Sequence, residues 1–184
     1  AMRRALPLAY PGMKVGLFGG SFDPAHEGHA HVAETALKRL QLDRVWWLIS
    51  PQNPLKPKSS PFAERMTSAR AQAQGHAMVV TDFEHRFGCA YTFETLRALK
   101  RLYPGVRFYL IMGADNLAHF RKWRNWREVA EAIPIVVVSR PGVGARQRLS
   151  APGGWIFLSA RHHRQSSSAL RGPKRRAVAR PSLK

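Results

Sequence analysis

Cysteine, acidic charge and long apolar runs are all scarce in this sequence. Cys89 is the only cysteine among 184 residues, which excludes an internal disulfide framework and a cluster of thiolate metal ligands. No apolar run approaches the roughly 20 residues that a membrane-spanning helix requires. The N-terminus also lacks the apolar stretch of roughly 7–15 residues that is typical of secretory signals. We therefore expect a protein without a membrane span that works in the reducing cytoplasm.

Acidic residues are few compared with basic ones, at 11 Asp and Glu against 30 Lys and Arg, so the net charge is +19. The stretch from Arg161 to Lys184 contains several of these basic residues and no acidic one. A positive field raises the local concentration of phosphate-bearing ligands such as ATP, and it also attracts nucleic acid nonspecifically. Charge alone does not separate these two functions, because most single Lys and Arg side chains are solvated surface.

Short apolar runs alternate with longer amphipathic stretches along the chain. The predicted strands are at 15–18, 45–49, 78–81, 106–112, 135–139 and 155–158. The predicted helices span residues 29–40 and 92–102, and a further helix passes through Arg65, Ala69 and Ala73 and ends near Gly75. This alternation is typical of a doubly wound α/β domain, in which a mostly parallel sheet has helices on both faces.

We expect one such domain over residues 13–171, preceded by an N-terminal extension of residues 1–12. The segment Arg140–Gly154 is rich in Gly, Pro and Arg and is predicted to be a surface loop. Residues 172–184 form a basic segment with too few large apolar side chains to pack, so we expect a disordered tail.

The segment GGSFDPAHEGH, residues 19–29, carries the strongest chemical signal. It lies where the first strand is predicted to end and the first helix to begin, and a helix N-terminus at this edge of a parallel sheet favours phosphate binding. Gly19 and Gly20 allow a close approach of the backbone. His26 and His29 are spaced to face one phosphate and to donate hydrogen bonds to it. An isolated histidine pair would instead indicate a surface or capping role.

The residues from His26 to His29 match the H-x-G-H signature of a nucleotidyltransferase superfamily. Three further segments follow: YTFETL at 91–96, GADNLAHFRKW at 113–123 and SSSALR at 166–171. With them the chain resembles the bacterial nicotinate-nucleotide adenylyltransferases. The resemblance implies a Rossmann-like nucleotidyltransferase fold and the transfer of AMP from ATP to nicotinate mononucleotide. The products would be deamido-NAD and pyrophosphate, in NAD biosynthesis.

This chemistry fits the residue types at the predicted ATP site. An acceptor phosphate is already nucleophilic, so catalysis requires positioning and charge neutralisation rather than a strong base. The predicted catalytic residues are His26, His29 and Arg171, which would stabilise charge on the α-phosphate and the departing pyrophosphate. The predicted ATP-binding residues are Gly19, Gly20, Ser21, Phe22, His26, His29, Gly113, Asp115, Ser167, Ser168 and Arg171.

Some members of this set have structural alternatives. Asp115 follows the fourth predicted strand, where it is placed to accept hydrogen bonds from a ribose, but it is also a candidate N-cap for the helix after it. Ser167 and Ser168 are predicted to open a helix toward phosphate, with Arg171 one turn later. Without the resemblance, this serine run would indicate a linker.

Three residues are predicted to bind the mononucleotide. Trp123 offers a flat face for a pyridine ring, and Thr92 offers a hydroxyl for its carboxylate. Lys56, in the loop between Pro51 and Pro61, is placed to meet the acceptor phosphate. Each has a structural alternative: packing for Trp123, an N-cap role for Thr92 and a solvated loop position for Lys56.

No His, Cys and acidic residues have the spacing of a protein-held metal site, so no metal ligand is predicted. Mg²⁺ is expected to arrive with ATP and to be held mostly by the nucleotide and water. Two other functions stay open. One is the same chemistry on nicotinamide mononucleotide, pantetheine phosphate or flavin mononucleotide, and the other is a non-catalytic basic protein that binds nucleic acid. The intact pair of His26 and His29 favours an enzyme, and the sequence leaves its oligomeric state open.

Overall fold

A sheet of six parallel strands organises the computed structural model, which describes residues 6–52, 58–139 and 155–159. The strands are β1 Lys14–Gly20, β2 Arg44–Ile49, β3 Met78–Thr81, β4 Arg107–Gly113, β5 Ile135–Ser139 and β6 Ile156–Ser159. They lie in the order β3-β2-β1-β4-β5-β6, and every neighbouring pair is parallel. This is the strand order of a doubly wound Rossmann-like sheet, and it confirms the predicted fold class.

Helices cover both faces of the sheet. They are α1 Glu27–Arg39, α2 Phe62–Gln72, α3 Phe83–Arg86, α4 Thr92–Leu102, α5 Ala114–Leu117 and α6 Trp126–Ala132, with a 3-10 turn at Phe120–Lys122. Helices α1 and α2 pack on one face through Val32, Ala33, Ala36, Met66 and Ala69. Helices α3, α4 and α6 pack on the other through Phe83, Leu96, Leu99 and Val129. Within the described part of the chain, no helix is both long enough and apolar enough to cross a membrane.

Successive residues of a buried strand supply opposite cores. In β5, Ile135 and Val137 pack with α3, α4 and α6, whereas Val136 and Val138 pack with α1 and α2. All four side chains are buried. Because both faces of this strand are covered, it has no polar alternation, which explains its continuous apolar sequence.

The structure corrects the predicted boundary between the first strand and the first helix. Gly19 and Gly20 do not end β1 but continue it, in parallel register with Leu48 and Ile49 of β2. Helix α1 begins at Glu27 rather than at the predicted His29. The earlier start follows from a cap at His26, whose Nδ1 accepts a hydrogen bond from the backbone N–H of Gly28 at 3.0 Å.

Two N-cap alternatives are also wrong. Helix α4 is preceded by Tyr91 as its N-cap, so Thr92 is its first residue, and the Tyr91 backbone N–H donates to Glu94 Oε1 at 3.1 Å. Helix α5 has Gly113 as its N-cap, so Asp115 is its second residue. The short helices α3, α5 and α6 were not predicted individually, because helices of four to seven residues are too short to show a clear apolar periodicity.

The predicted loop Arg140–Gly154 and the predicted tail of residues 172–184 lie outside the described residues. The strand order places the topological switch point between β1 and β4, since the connections from these strands lead to opposite sides of the sheet. Ligands of doubly wound proteins bind in the crevice beyond the carboxyl ends of the strands at this point. The segment of residues 19–29 begins there.

Gly16 in the middle of β1 offers a test of how tightly this sheet is packed. A Cβ at this position would lie 2.5 Å from Ile111 Cδ1 and 2.9 Å from Leu42 Cδ1. We therefore expect Gly16→Ala to lower the free energy of unfolding by about 1–3 kcal/mol through overpacking. The matched control is Gly19→Ala in the same strand, where nothing lies within 4 Å of the added Cβ. Urea unfolding of both variants measures the effect, and equal midpoints would contradict it.

Candidate active site

Two cavities adjoin the carboxyl end of β1. The first has a volume of about 220 Å³ and is lined by Phe18, Gly19, Gly20, Ser21, Phe22, His29, Val32, Gly113, Asp115 and Asn116. The second, of about 200 Å³, extends between β1, β2, β4 and the start of α4, and its polar lining includes Ser50, Glu84, Thr92, Thr95 and Asn116. Gly19, Gly20, Ser21 and Asn116 line both cavities.

The first cavity unites most of the predicted ATP-binding residues that the structure describes. Gly19, Gly20, Ser21, Phe22 and His29 come from the end of β1 and the start of α1. Gly113 and Asp115 come from the end of β4 and the start of α5. The cavity therefore lies at the topological switch point of the sheet. One of its walls comes from the end of β1 and the other from the end of β4.

His26 and His29 form a pair of contacting, tilted rings at the N-terminus of α1. Their ring centroids are 3.9 Å apart. His26 Nδ1 accepts from the Gly28 backbone N–H at 3.0 Å, and His29 Nδ1 accepts from the His26 backbone N–H at 3.1 Å. In the neutral form of each ring the proton is then on Nε2. The helix start thus uses two backbone N–H groups to orient imidazoles, and His29 lines the first cavity while His26 packs against its ring.

Phe22 supports His29 from within the protein. Its ring is buried, at 2% exposure, and lies edge-to-face with His29 at a centroid distance of 5.0 Å. Phe18 and Trp47 hold the same ring from the other sides, at 5.3 Å each. The backbone of Phe22 has φ of 50°, a left-handed conformation that is strained for a bulky residue. Its packing with three aromatic rings accounts for the retention of this conformation.

The Asp115 carboxylate lies against the backbone of Gly113. A Cβ at Gly113 would come within 2.6 Å of Asp115 Oδ1, so a side chain at position 113 would displace the carboxylate. Asp115 is exposed and faces the first cavity. Asn116, the next residue, lines both cavities, and the sequence analysis missed it although it belongs to the GADNL segment.

The second cavity contains both described residues that were predicted to bind the mononucleotide. Thr92 stands at the first position of α4, and Trp123 follows the 3-10 turn. The Trp123 ring packs on the buried Phe120, at a centroid distance of 5.2 Å, and is partly buried itself. The packing role and the cavity role of Trp123 are therefore compatible, since one indole contacts both the core and the cavity.

Arg65 links the backbone segments that follow β1 and β2, beside the two cavities. Its side chain is buried, at 2% exposure, and its Nη1 donates to the carbonyl oxygens of Ser21 and Ser50, both at 2.9 Å. Its Nε donates to the carbonyl oxygen of Ser60 at 3.2 Å. Burial lowers the pKa of Arg65, and the nearby Asp23 carboxylate opposes this effect. The sequence predicted a helix through Arg65, Ala69 and Ala73 but did not indicate that Arg65 is buried; its spacing of four residues from the buried Ala69 was the available signal.

Glu84 and Thr95 form a second group that the sequence analysis missed. Both line the second cavity, and Thr95 Oγ1 donates to Glu84 Oε2 at 2.6 Å. Burial raises the pKa of Glu84 to about 7, and the hydrogen bond from Thr95 partly opposes this shift. The shift identifies a carboxyl group whose charge changes near neutral pH.

Four predicted site residues, Lys56, Ser167, Ser168 and Arg171, lie outside the described residues. Their roles stay predictions. Within residues 6–52, 58–139 and 155–159, no three His, Cys, Asp or Glu side chains are grouped as metal ligands. This part of the chain therefore offers no ligand set for a protein-held ion.

Comparison with known proteins relates the chain to nucleotide-transferring enzymes. The family model described as cytidylyltransferase-like matches residues 17–172. A protein of Caulobacter sp. (strain K31) named nicotinate-nucleotide adenylyltransferase is 48% identical over 185 residues, which cover 87% of this chain and 97% of the relative. A protein of Roseobacter denitrificans with the same name is 51% identical over 170 residues, or 92% of this chain and 85% of the relative.

Solved structures share the fold at low sequence identity. The nicotinic acid mononucleotide adenylyltransferase of Plasmodium falciparum complexed with NaAD superposes with a TM-score of 0.67 at 16% identity, over 80% of this chain and 75% of that one. The same protein complexed with APC gives 0.66 at 17% identity, over 80% and 74%. At these identities the likeness supports the architecture of the sheet and its helices.

Replacement of Arg65 by lysine tests whether the guanidinium holds the site together. A lysine ammonium lacks the planar fork that reaches several carbonyl groups, so Arg65→Lys leaves buried carbonyl oxygens unpaired. We expect a loss of about 1–3 kcal/mol in the free energy of unfolding. The exposed Arg70 on the same helix provides the control, Arg70→Lys, which should change stability by less than about 0.5 kcal/mol. Thermal melting of the two variants measures the loss of stability in each, and equal losses would refute the role of Arg65.

Proposed function

The chain belongs to the nicotinate-nucleotide adenylyltransferase family, and we propose that it transfers the AMP part of ATP to nicotinate mononucleotide. The products are deamido-NAD and pyrophosphate, and the reaction is a step of NAD biosynthesis. The observation that carries the proposal is the pair of cavities that share Gly19, Gly20, Ser21 and Asn116. A nucleotide in each would bring its phosphates to this common wall, which is the arrangement that joining two nucleotides requires.

The chemical step is an in-line displacement at phosphorus. A phosphate oxygen of the mononucleotide attacks the α-phosphorus of ATP, the new P–O bond forms, and the bond to the β,γ-pyrophosphate breaks. The attacking phosphate is already anionic, so no side chain has to remove a proton from it. The protein contributes orientation and neutralisation of the charge on the pyrophosphate leaving group.

The histidine pair supplies neutralising donors. With each Nδ1 engaged by a backbone N–H, Nε2 of the neutral ring carries the proton and donates toward phosphate oxygens. Phe22 holds the His29 ring in place, so the direction of this donor is set before ATP binds. Ser167, Ser168 and Arg171 are proposed to approach the same phosphates from the opposite side, with the Arg171 fork as a cationic donor.

The remaining contacts follow from the lining of the two cavities. Gly19 leaves open space above β1, where the triphosphate approaches the backbone. Asp115 accepts hydrogen bonds from a ribose hydroxyl of ATP. In the second cavity, Trp123 stacks on the pyridine ring and Thr92 donates to its carboxylate. Lys56, which lies outside the described residues, is proposed to meet the acceptor phosphate. Mg²⁺ would accompany ATP and would be held mostly by the nucleotide and water.

The proposal is tested by turnover with four acceptors at equal ATP: nicotinate mononucleotide, nicotinamide mononucleotide, pantetheine phosphate and flavin mononucleotide. We expect the highest kcat/KM for nicotinate mononucleotide, with one pyrophosphate released for each dinucleotide formed. His29→Ala should lower kcat by roughly 10²–10³, the usual cost of losing one donor to a charged transition state. The exposed His76 supplies the control, His76→Ala, which should retain full activity.

Other outcomes of this assay identify the alternatives. A higher kcat/KM for another acceptor would keep the chemistry and replace the substrate. Salt-sensitive binding of duplex DNA without any consumption of ATP would instead support the non-catalytic nucleic-acid-binding function. Full activity of a folded His29→Ala variant would refute the role of the histidine pair.

Trp123 separates acceptor binding from core packing. If its indole stacks on the pyridine, Trp123→Ala removes roughly 1–3 kcal/mol of binding, so the KM for the mononucleotide should rise about 5- to 150-fold while that for ATP barely changes. Trp126 is the matched control, because it also packs on Phe120, at 6.0 Å, but does not line the second cavity. Trp126→Ala should lower stability without the selective rise in KM. Equal KM values for the mononucleotide in the two variants would refute stacking of Trp123 on the pyridine ring.

A further inference from the structure

The second cavity contains a carboxyl group to which the proposed reaction assigns no role. Glu84, in α3, lines this cavity together with Thr92 and Trp123. Its side chain is partly buried. A carboxyl group here is unexpected, because the proposed acceptor brings a carboxylate of its own into a cavity of only about 200 Å³. The inference below rests on the proposed function and concerns how this site chooses its acceptor.

The hydrogen bonds of Glu84 accommodate both of its protonation states. Thr95 Oγ1 lies 2.6 Å from Glu84 Oε2 and 3.3 Å from the carbonyl oxygen of Tyr91. When Glu84 is ionised, the single hydroxyl proton of Thr95 is donated to the carboxylate. When Glu84 is protonated, its O–H donates to Thr95 Oγ1, and Thr95 turns its proton to the Tyr91 carbonyl. Neither state leaves the hydroxyl of Thr95 without an acceptor.

The surrounding elements offer Glu84 little compensation for a negative charge. On its own helix, Asp82 and Arg86 pair with each other at 3.4 Å, next to His85. The neighbouring Cys89 thiol has its pKa raised, chiefly by burial and in smaller part by Glu84 and Glu94. Glu94 at the start of α4 is a further anionic group.

Arg97, a cation on α4, is already engaged. It donates to Glu128 of α6 at 2.6 and 2.9 Å. The strands that line the cavity contribute Leu17, Leu48, Leu110, Ile111 and Met112, none of which is charged. Burial therefore dominates the pKa of Glu84 and raises it to about 7, while the Thr95 hydrogen bond lowers it in part.

We propose that Glu84 is a specificity-determining residue of the acceptor cavity, which must be protonated for a mononucleotide with a carboxylate on its ring to bind well. Two carboxylates in one small cavity repel each other, so a bound nicotinate ring favours the neutral form of Glu84. A carboxamide brings no charge, and its NH₂ group donates to ionised Glu84 at least as well as to the neutral acid. The preference for carboxylate over carboxamide is consequently greatest when Glu84 is neutral and falls as the pH rises.

The test is the ratio of kcat/KM for nicotinate mononucleotide to that for nicotinamide mononucleotide, measured between pH 6 and 9 with the whole chain. Both acceptors carry the same phosphate, which titrates near pH ~6, so its effect cancels in the ratio. We expect the ratio to fall by up to about 10-fold per pH unit above the pKa of Glu84, since one proton is linked to binding. In Glu84→Gln the ratio should not vary with pH.

Two further variants make the test specific. Thr95→Val removes the hydrogen bond that favours ionised Glu84, so the fall of the ratio should move to higher pH. This variant also keeps the test decisive if Glu84→Gln does not fold, which melting curves at each pH will show. The matched control is Glu131→Gln, at an exposed position of α6, and its profile should follow that of the unaltered chain.

The outcomes separate this inference from the proposed function. Turnover of nicotinate mononucleotide with the same pH dependence in the unaltered chain and in Glu84→Gln would overturn the role of Glu84 and leave the reaction intact. A ratio that does not vary with pH in the unaltered chain would overturn it as well. No turnover with either mononucleotide would overturn the proposed function and the inference that rests on it.

Discussion

The two cavities depend on one buried guanidinium. Arg65 donates to the carbonyl oxygens of Ser21 and Ser50, which directly follow β1 and β2, and to that of Ser60 before α2. Hydrogen bonds from a charged donor contribute more than neutral ones, about 1.5–3 kcal/mol each. Three irregular backbone segments thereby converge on a single side chain. Ser21 lines both cavities and Ser50 lines the second, so α2 helps the sheet to set the relative positions of these two linings.

The same helix also holds the loop that carries the chemical residues. Ser68, one turn after Arg65, accepts from the backbone N–H of Ala25 at 3.1 Å. The Asp23 carboxylate accepts from the backbone N–H of Ser60 at 2.9 Å, and the pKa of Asp23 is lowered first by a hydrogen bond from the Ser60 side chain and then by this backbone bond. Residues 21–25 are thus connected to α2 along their length. The loop presents His26 and His29 from a rigid base, which is the condition for donors that act on a transition state by position.

The diverging strands explain why there are two separate cavities that share one wall. After β1 the chain passes to α1 on one face, and after β4 it passes to α5, which packs with the core of the other face. His29 of α1 lines one cavity, and Thr92 of α4 and Trp123, which follows the 3-10 turn, line the other. Gly19 and Gly20 lie between the cavities without side chains of their own, so in the proposed reaction phosphates from both sides would approach the same backbone. The second cavity differs from the first in containing Glu84, a carboxyl group whose pKa is raised to about 7.

Local sequence determined the strands, the fold class and the position of the histidine pair. Strands such as Ile135–Ser139 are evident because burial on both faces leaves a continuous apolar run. The resemblance of the 19–29, 91–96 and 113–123 segments then indicated His29, Asp115, Thr92 and Trp123, and the structure places all of them on the two cavities. Tertiary structure alone decided which of these residues share a cavity, because they come from strands and helices far apart in the chain.

The residues that the sequence analysis missed act through contacts with distant parts of the chain. Arg65 acquires its partners 44 and 15 residues away, at Ser21 and Ser50. Glu84 becomes a group with a raised pKa only because folding buries it beside Thr95 on another helix. Residue type and local periodicity therefore determined which elements form and which side chains have suitable chemistry. Burial and partner geometry, which exist only in the folded chain, decided the raised pKa of Glu84, the orientation of the imidazoles and the position of the cavities.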